Sequence, residues 1–157
     1  MKIAYINTDP DAPVFGRVGC SVHMQETLRA MLRLGLQVHL FSSRLGDEAI
    51  YDLSPLQVHP LPKIVNRHGQ SPLAMNHIVR AALERESEDG EFDLIYERFA
   101  LYSHASMEFA SERRIPSVLE VNAPLLEENA ARGTLLDPTG AEECAMRSFR
   151  AISSFLD

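Results

Sequence analysis

The stretch Gly16-Arg17-Val18-Gly19-Cys20-Ser21-Val22-His23 stands between an apolar segment, Ile3 to Ile6, and an amphipathic one beginning near Ser21. A glycine-bearing turn between a strand and a helix places backbone N–H groups and a helix N-terminus at the strand's carboxyl end, where open α/β sheets bind anions. A side chain at Gly19 would hold that backbone away from a phosphate; alone the residue is better read as a loop glycine with positive φ, and the flanking Ser21-Val22-His23 favours a site role. His23, in the first helical turn, could touch a ligand or cap the loop. Glu97 and Arg98 lie at the carboxyl end of a later apolar segment. Neighbours on a strand point to opposite faces, so at most one reaches a crevice unless the strand has already ended. A structural ion pair accounts for them equally well. The acidic residues Glu84, Glu86, Glu88, Asp89 and Glu91 read as a solvated helix end and loop.

These residues need a frame, and the pattern of apolar positions supplies one. Lys2 to Asn7 reads as a buried strand closed by Thr8-Asp9-Pro10-Asp11-Ala12-Pro13, whose composition suits a loop. Met24, Leu28, Met31 and Leu32 share one helical face, with Ser21 as the expected N-cap and Gly35 as the expected left-handed terminator. Gln37 to Ser42 is the next strand and Leu56 to Leu61 a short one that Pro60 ends. Ser71-Pro72 should open a helix carrying Met75, Ile78, Val79, Ala82 and Leu83 toward Gly90. Asp93 to Glu97 is expected as a strand, Leu101 to Arg113 as a helix, and Ser117 to Val121 as a fifth strand. A polar helix-forming segment follows Pro124, then a helix from Asp137 to Arg150, and Ala151 to Phe155 could begin a sixth strand. Strand–helix alternation with short connections implies right-handed crossovers and a mostly parallel sheet covered by helices on both faces. The expected fold is therefore an α/β, three-layer, Rossmann-like domain.

Composition narrows the classes of function. A chain of 157 residues, 45% hydrophobic, builds one core and a single domain. A net charge of -7 with scattered basic residues argues against nucleic acid as a partner. Two cysteines and no signal-like apolar stretch suit a reduced, cytoplasmic setting. No apolar run approaches the roughly 20 residues of a membrane span. His39, His59, His68, His77 and His104 show no ligand spacing along the chain, so no metal site is expected.

Three common α/β chemistries lack their residues. The spacing of Gly16 and Gly19 is wrong for G-x-G-x-x-G, and Phe41-Ser42-Ser43 supplies no acidic residue for a ribose. The sequence G-x-x-x-x-G-K-[ST] is absent, and the third strand ends His59-Pro60-Leu61-Pro62 without the aspartate of a phospho-receiver. Asp9-Pro10-Asp11 matches D-x-D only formally, since two aspartates around a proline make an ordinary turn.

Several blocks together resemble the N-terminal half of family-4 glycosyltransferases of the GT-B fold. They are Ile3 to Ile6, Gly19-x-Ser21-Val22-His23, Gln37 to Phe41, Asp93-Leu94-Ile95-Tyr96-Glu97-Arg98-Phe99, and Val118-Leu119-Glu120-Val121-Asn122-Ala123-Pro124. The resemblance runs almost end to end, and residues 151–155 look like the point where that family enters its C-terminal, donor-binding domain. The E-x7-E element that holds the nucleotide sugar in the family cannot be placed in this sequence.

The resemblance implies transfer of a sugar from a nucleotide-sugar donor to an acceptor, with retention at the anomeric carbon and no cofactor or essential metal. It implies a donor-side role for Gly19 and Ser21 and acceptor contacts for His23, Glu97, Arg98 and Tyr102, although Tyr102 also suits helix packing. Asn122 occupies a position where many members carry a histidine near the reacting sugar. Asparagine cannot transfer a proton at neutral pH, so its catalytic role there would be positioning. Such a half is expected to be inactive alone, to need the donor-binding domain as partner, and to expose a cleft face through which two copies could pair. The setting implied is cytoplasmic, with peripheral attachment to the inner membrane face possible. A free-standing sugar- or metabolite-binding module, or an unrelated nucleotide-binding protein, remains open.

Overall fold

The computed structural model describes residues 1–47, 51–63 and 73–153. Five parallel strands, β1 (Lys2–Asn7), β2 (Gln37–Ser42), β3 (Gln57–Pro60), β4 (Leu94–Arg98) and β5 (Ser117–Glu120), form one sheet in the order β3-β2-β1-β4-β5. The helices are α1 (Gly19–Arg33), α2 (Ala74–Ser87), α3 (Ala105–Arg113), α4 (Leu125–Arg132) and α5 (Pro138–Ser153), with a 3-10 turn at Tyr51–Leu53.

β1 is apolar from Ile3 to Ile6 and buried there because both of its faces are covered. Alternate residues of β1 point to opposite layers. Tyr5 packs with Val38, Leu40, Met24, Leu28 and Met31 beneath α1. Ala4 and Ile6 join Phe41, Val79, Leu83, Ile95, Phe109 and Ala151 on the side of α2, α3 and α5. The result is the three-layer α/β architecture expected from the strand–helix alternation. β1 and β4 are neighbours, but their outgoing connections leave to opposite sides of the sheet. Side chains and loops at their carboxyl ends therefore diverge and leave a crevice.

Local differences from the sequence reading have physical causes. α1 starts two residues before Ser21, with Val18 in the cap position and no side-chain cap. Ser21 is fully buried and donates its hydroxyl proton to the Pro13 carbonyl at 2.5 Å, so it fastens the β1–α1 loop instead of capping the helix. Gly35 ends α1 at φ +73 as its position implied, whereas Gly19 does not have positive φ. α3 begins at Ala105 instead of Leu101, because Tyr102 adopts φ 66, a left-handed conformation that interrupts helical geometry. Asn76 then supplies the start of α3: its Oδ1 accepts from the backbone N–H of His104 at 2.9 Å and Ala105 at 3.1 Å. Asp137 accepts from Gly140 N–H at 2.9 Å at the start of α5. That helix runs through Ser153, so Ala151 to Ser153 are helical and not the opening of a sixth strand. The apolar side of Ala151 and Ile152 packs on the core, which a continued helical repeat allows. The expected Ser71-Pro72 helix start and residues 154–155 lie outside the described residues.

Candidate functional site

A cavity of about 350 Å³ opens at the carboxyl edge of β1 and β4. Thr8 to Asp11 of the β1–α1 loop form one side, Ala100 to Ser103 the floor, and Leu125, Asn129 and Arg132 of α4 the far side. Tyr102 lies in this wall. Its hydroxyl accepts hydrogen bonds from the backbone N–H of Leu136 and Asp137, both at 3.2 Å, which ties the α4–α5 connection to the crevice. Left-handed backbone at a bulky residue costs roughly 1–3 kcal/mol and persists where surrounding contacts hold it. Here those contacts are the two Tyr102 hydroxyl bonds and the bond from Asn76 Nδ2 to the Tyr102 carbonyl, 2.7 Å.

A second group of polar side chains meets beside the start of α1. His23 Nε2 bonds to Glu120 Oε1, and Tyr96 donates its hydroxyl to Glu120 Oε2 at 2.9 Å. Asn122 also hydrogen-bonds to this carboxylate. Burial opposes ionisation of Glu120, but the bonds from Tyr96, Asn122 and His23 outweigh it and hold the carboxyl below its ordinary range. The His23 side chain is 53% exposed, so its ring both contacts Glu120 and faces solvent. Tyr96 stacks on buried Tyr5 with ring centroids 5.1 Å apart, which fixes the hydroxyl that reaches Glu120. The first turn of α1 carries no acidic side chain, so the positive end of its dipole is not neutralised from within the helix.

The sequence-derived residues thus divide. His23 and Asn122 come together on Glu120, a residue that sequence reasoning did not single out. The available signal was its position: Glu120 ends β5 in register with Arg98, at the same sheet edge as the other candidates. Gly19 opens α1, and a Cβ there would meet nothing within 4 Å, so open space adjoins this backbone. Arg98 pairs with Asp9 at 3.3 Å behind the cavity wall, while its Nε has no hydrogen-bond partner among the described residues. Asp9 Oδ1 also accepts from the Asp11 N–H at 2.9 Å, so Asp9-Pro10-Asp11 is a side-chain-closed turn.

Two expectations need correction. Glu97 is fully buried, and its oxygens accept from the hydroxyls of Ser103 and Ser106. It therefore locks the β4–α3 connection and does not offer its carboxyl to an acceptor. Ser21 is likewise buried with its hydroxyl directed at Pro13, which removes that side chain from a donor-side surface.

The expectation of no metal-ligating set rested on spacing along the chain. The sheet nevertheless brings His39 of β2 and His59 of β3 together near Glu86 of α2.

No protein-family model matches the sequence, and no curated protein matches it. Among solved structures, Phytolacca americana apo UGT2 is similar at a TM-score of 0.52 and 14% identity over 87% of this chain. This chain spans 34% of that protein. The C-terminal domain of PF1911 hydrogenase from Pyrococcus furiosus aligns at a TM-score of 0.47 and 16% identity, over 76% of this chain and 91% of that one. No helix among the described residues is long and apolar enough to cross a membrane. The five-stranded all-parallel sheet and its helices form a Rossmann-like α/β fold, similar to that of the aligned part of UGT2.

Proposed function

We propose that this chain forms the acceptor-side half of a GT-B glycosyltransferase that moves a sugar from a nucleotide-sugar donor to an acceptor. The observation that carries this reading is the meeting of His23, Glu120 and Asn122 beside the uncapped N-terminus of α1. Donor diphosphate facing that terminus would be stabilised as it gains negative charge in the transition state, where the interaction strengthens. Gly19 leaves the space for such an approach, and His23 and Asn122 present hydrogen-bonding groups to an acceptor hydroxyl. The nucleotide and sugar would be held mostly by a donor-binding domain across the crevice. Retention follows from the family-4 resemblance, in which Asn122 positions and does not move a proton.

A specific observation favours a second reading of the stereochemistry. An imidazole held by a carboxylate is suited to take a proton from an attacking hydroxyl, and base-assisted direct displacement inverts the anomeric centre. His23 on Glu120 has that arrangement. The test joins this chain to a donor-binding domain and supplies nucleotide sugars with candidate acceptors. Transfer is expected from the joined protein and not from residues 1–157 alone, and NMR of the product reads retention or inversion directly. Robust turnover by the chain alone would overturn the placement of the donor site.

A further inference from the structure

The edge of the sheet opposite β5 holds a second cluster with a different chemistry. His39 on β2, His59 on β3 and Glu86 in the last turn of α2 each offer a ligand atom, and these atoms lie within 4.8 Å of one another. His39 Nδ1 and His59 Nε2 are 3.0 Å apart, and His59 Nδ1 is 3.5 Å from Glu86 Oε1. The two rings lie nearly in one plane, 5° apart, with Nδ1 of one facing Nε2 of the other, and Phe92 packs edge-on against His39 while Phe41 packs against His59. His39 is only 4% exposed, and it turns Nδ1 toward His59, while the unpartnered Nε2 lies on the other side of the ring.

We propose that His39, His59 and Glu86 bind a borderline divalent transition metal, zinc in the first instance, as a structural clamp. Two imidazole nitrogens and a carboxylate oxygen are a donor set for zinc, cobalt or nickel and not for magnesium or calcium, which take oxygen ligands. Zinc–nitrogen bonds of about 2.0–2.1 Å set tetrahedral ligand nitrogens about 3.3 Å apart, so the histidine pair must open by a few tenths of an ångström and the rings must turn until both lone pairs point at the ion. Glu86 now faces His59 Nδ1, and it closes the third position by swinging toward the Nε2 side, with the three ligand atoms within 4.8 Å of one another. Its side chain is 23% exposed, which gives the ion a route in and room for water as a fourth ligand. Arg85 now holds Glu86 Oε1 at 3.1 Å from an exposed position and would yield it to the metal. The Lys2 ammonium opposes a nearby cation. It is directed to the carbonyls of Glu86 and Gly90 and lies over the Phe92 ring, so it also fixes the α2 terminus that presents Glu86. The clamp would join edge strand β3 to β2 and to the end of α2, far from the crevice.

Calorimetric titration of the chelator-treated chain with Zn²⁺, and with Co²⁺ followed by visible absorption, tests this directly. One zinc per chain is expected, with tetrahedral-type cobalt bands, a zinc-dependent rise in Tm, and no response to Mg²⁺. His59→Gln and Glu86→Gln, both at partly exposed positions, should each weaken binding by at least about tenfold, in line with losses at supported metal sites. Circular dichroism shows whether each variant is folded, and His23→Ala and His104→Ala serve as controls that retain zinc. Zinc binding unchanged in both folded ligand variants, or no stoichiometric binding by the parent chain, would overturn the site. Neither result bears on sugar transfer, which is measured separately.

Discussion

His23 and Glu120 touch beside the crevice although 97 residues separate them along the chain. One is the fifth residue of the first helix, the other the end of the last strand. Their meeting is produced by the sheet order, which puts the carboxyl ends of all five strands along one edge.

This contact predicts a shift in the titration of Glu120. Glu120 has an ordinary value near 4.5 that burial would raise, but bonds from Tyr96, Asn122 and His23 lower it instead. A depressed folded value contributes stability that is complete above the unfolded value and lost as pH falls through the folded one. His23→Ala removes one of the three partners. The Glu120 carboxyl should then titrate at higher pH than in the parent, and acid unfolding should begin earlier. Carbon-detected NMR of the glutamate carboxyls checks both, and an unmoved Glu120 curve would refute the coupling.

Glu97 predicts the opposite slope. Burial raises its carboxyl, against the pull of the Ser103 and Ser106 hydroxyls. A raised folded value means the native state keeps a proton that the unfolded chain has released, so stability declines as pH climbs above about 4.5 toward and through the folded value. Glu97→Gln should flatten this decline in urea midpoints measured across that interval. A parent and variant with the same slope would assign the effect to another group.

The glycines separate structural from functional need. At Gly46, φ is +90 and a Cβ would sit 2.3 Å from the Phe15 carbonyl oxygen, so Gly46→Ala should cost at least about 2 kcal/mol. Gly19→Ala meets no atom within 4 Å and should stabilise helix α1 by roughly 0.5 kcal/mol. Thermal denaturation measures both. If Gly19→Ala is stable and weakens transfer by the joined protein, the glycine serves a ligand and not the fold.

Asn76→Ala should destabilise by about 2–3 kcal/mol. It strands the buried N–H groups of His104 and Ala105 and the carbonyl of Tyr102, all three of which Asn76 satisfies. Asn76→Asp keeps the acceptor and loses the donor, so it should fall between parent and alanine variant in chemical denaturation.

Strand and helix periodicity made the layers legible. Lys2 to Asn7 carries the apolar run Ile3 to Ile6, and Gln37 to Ser42 is buried from Val38 onward with only His39 and Ser42 polar within it, because helices cover both faces. The start of α3 was not legible, since it depends on left-handed Tyr102 and on Asn76, 28 residues before His104. Glu97 looked available because its strand-end position says nothing about the serines that close over it. Glu120 and the His39–His59 pair escaped for a related reason: neither has a signal in linear spacing, and both depend on which strands become neighbours.

The strand order has a consequence during synthesis. β1 gains one neighbour once Ser42 has been made, but the other waits for Leu94 and beyond. At 5–20 residues per second that delay lasts roughly 3–10 seconds. Through it, the apolar Ile3–Ile6 edge stands unpaired, a ready template for the same edge on another nascent chain. Fragments that stop before β4 should therefore self-associate, and crowded ribosomes translating this message expose the hazard most.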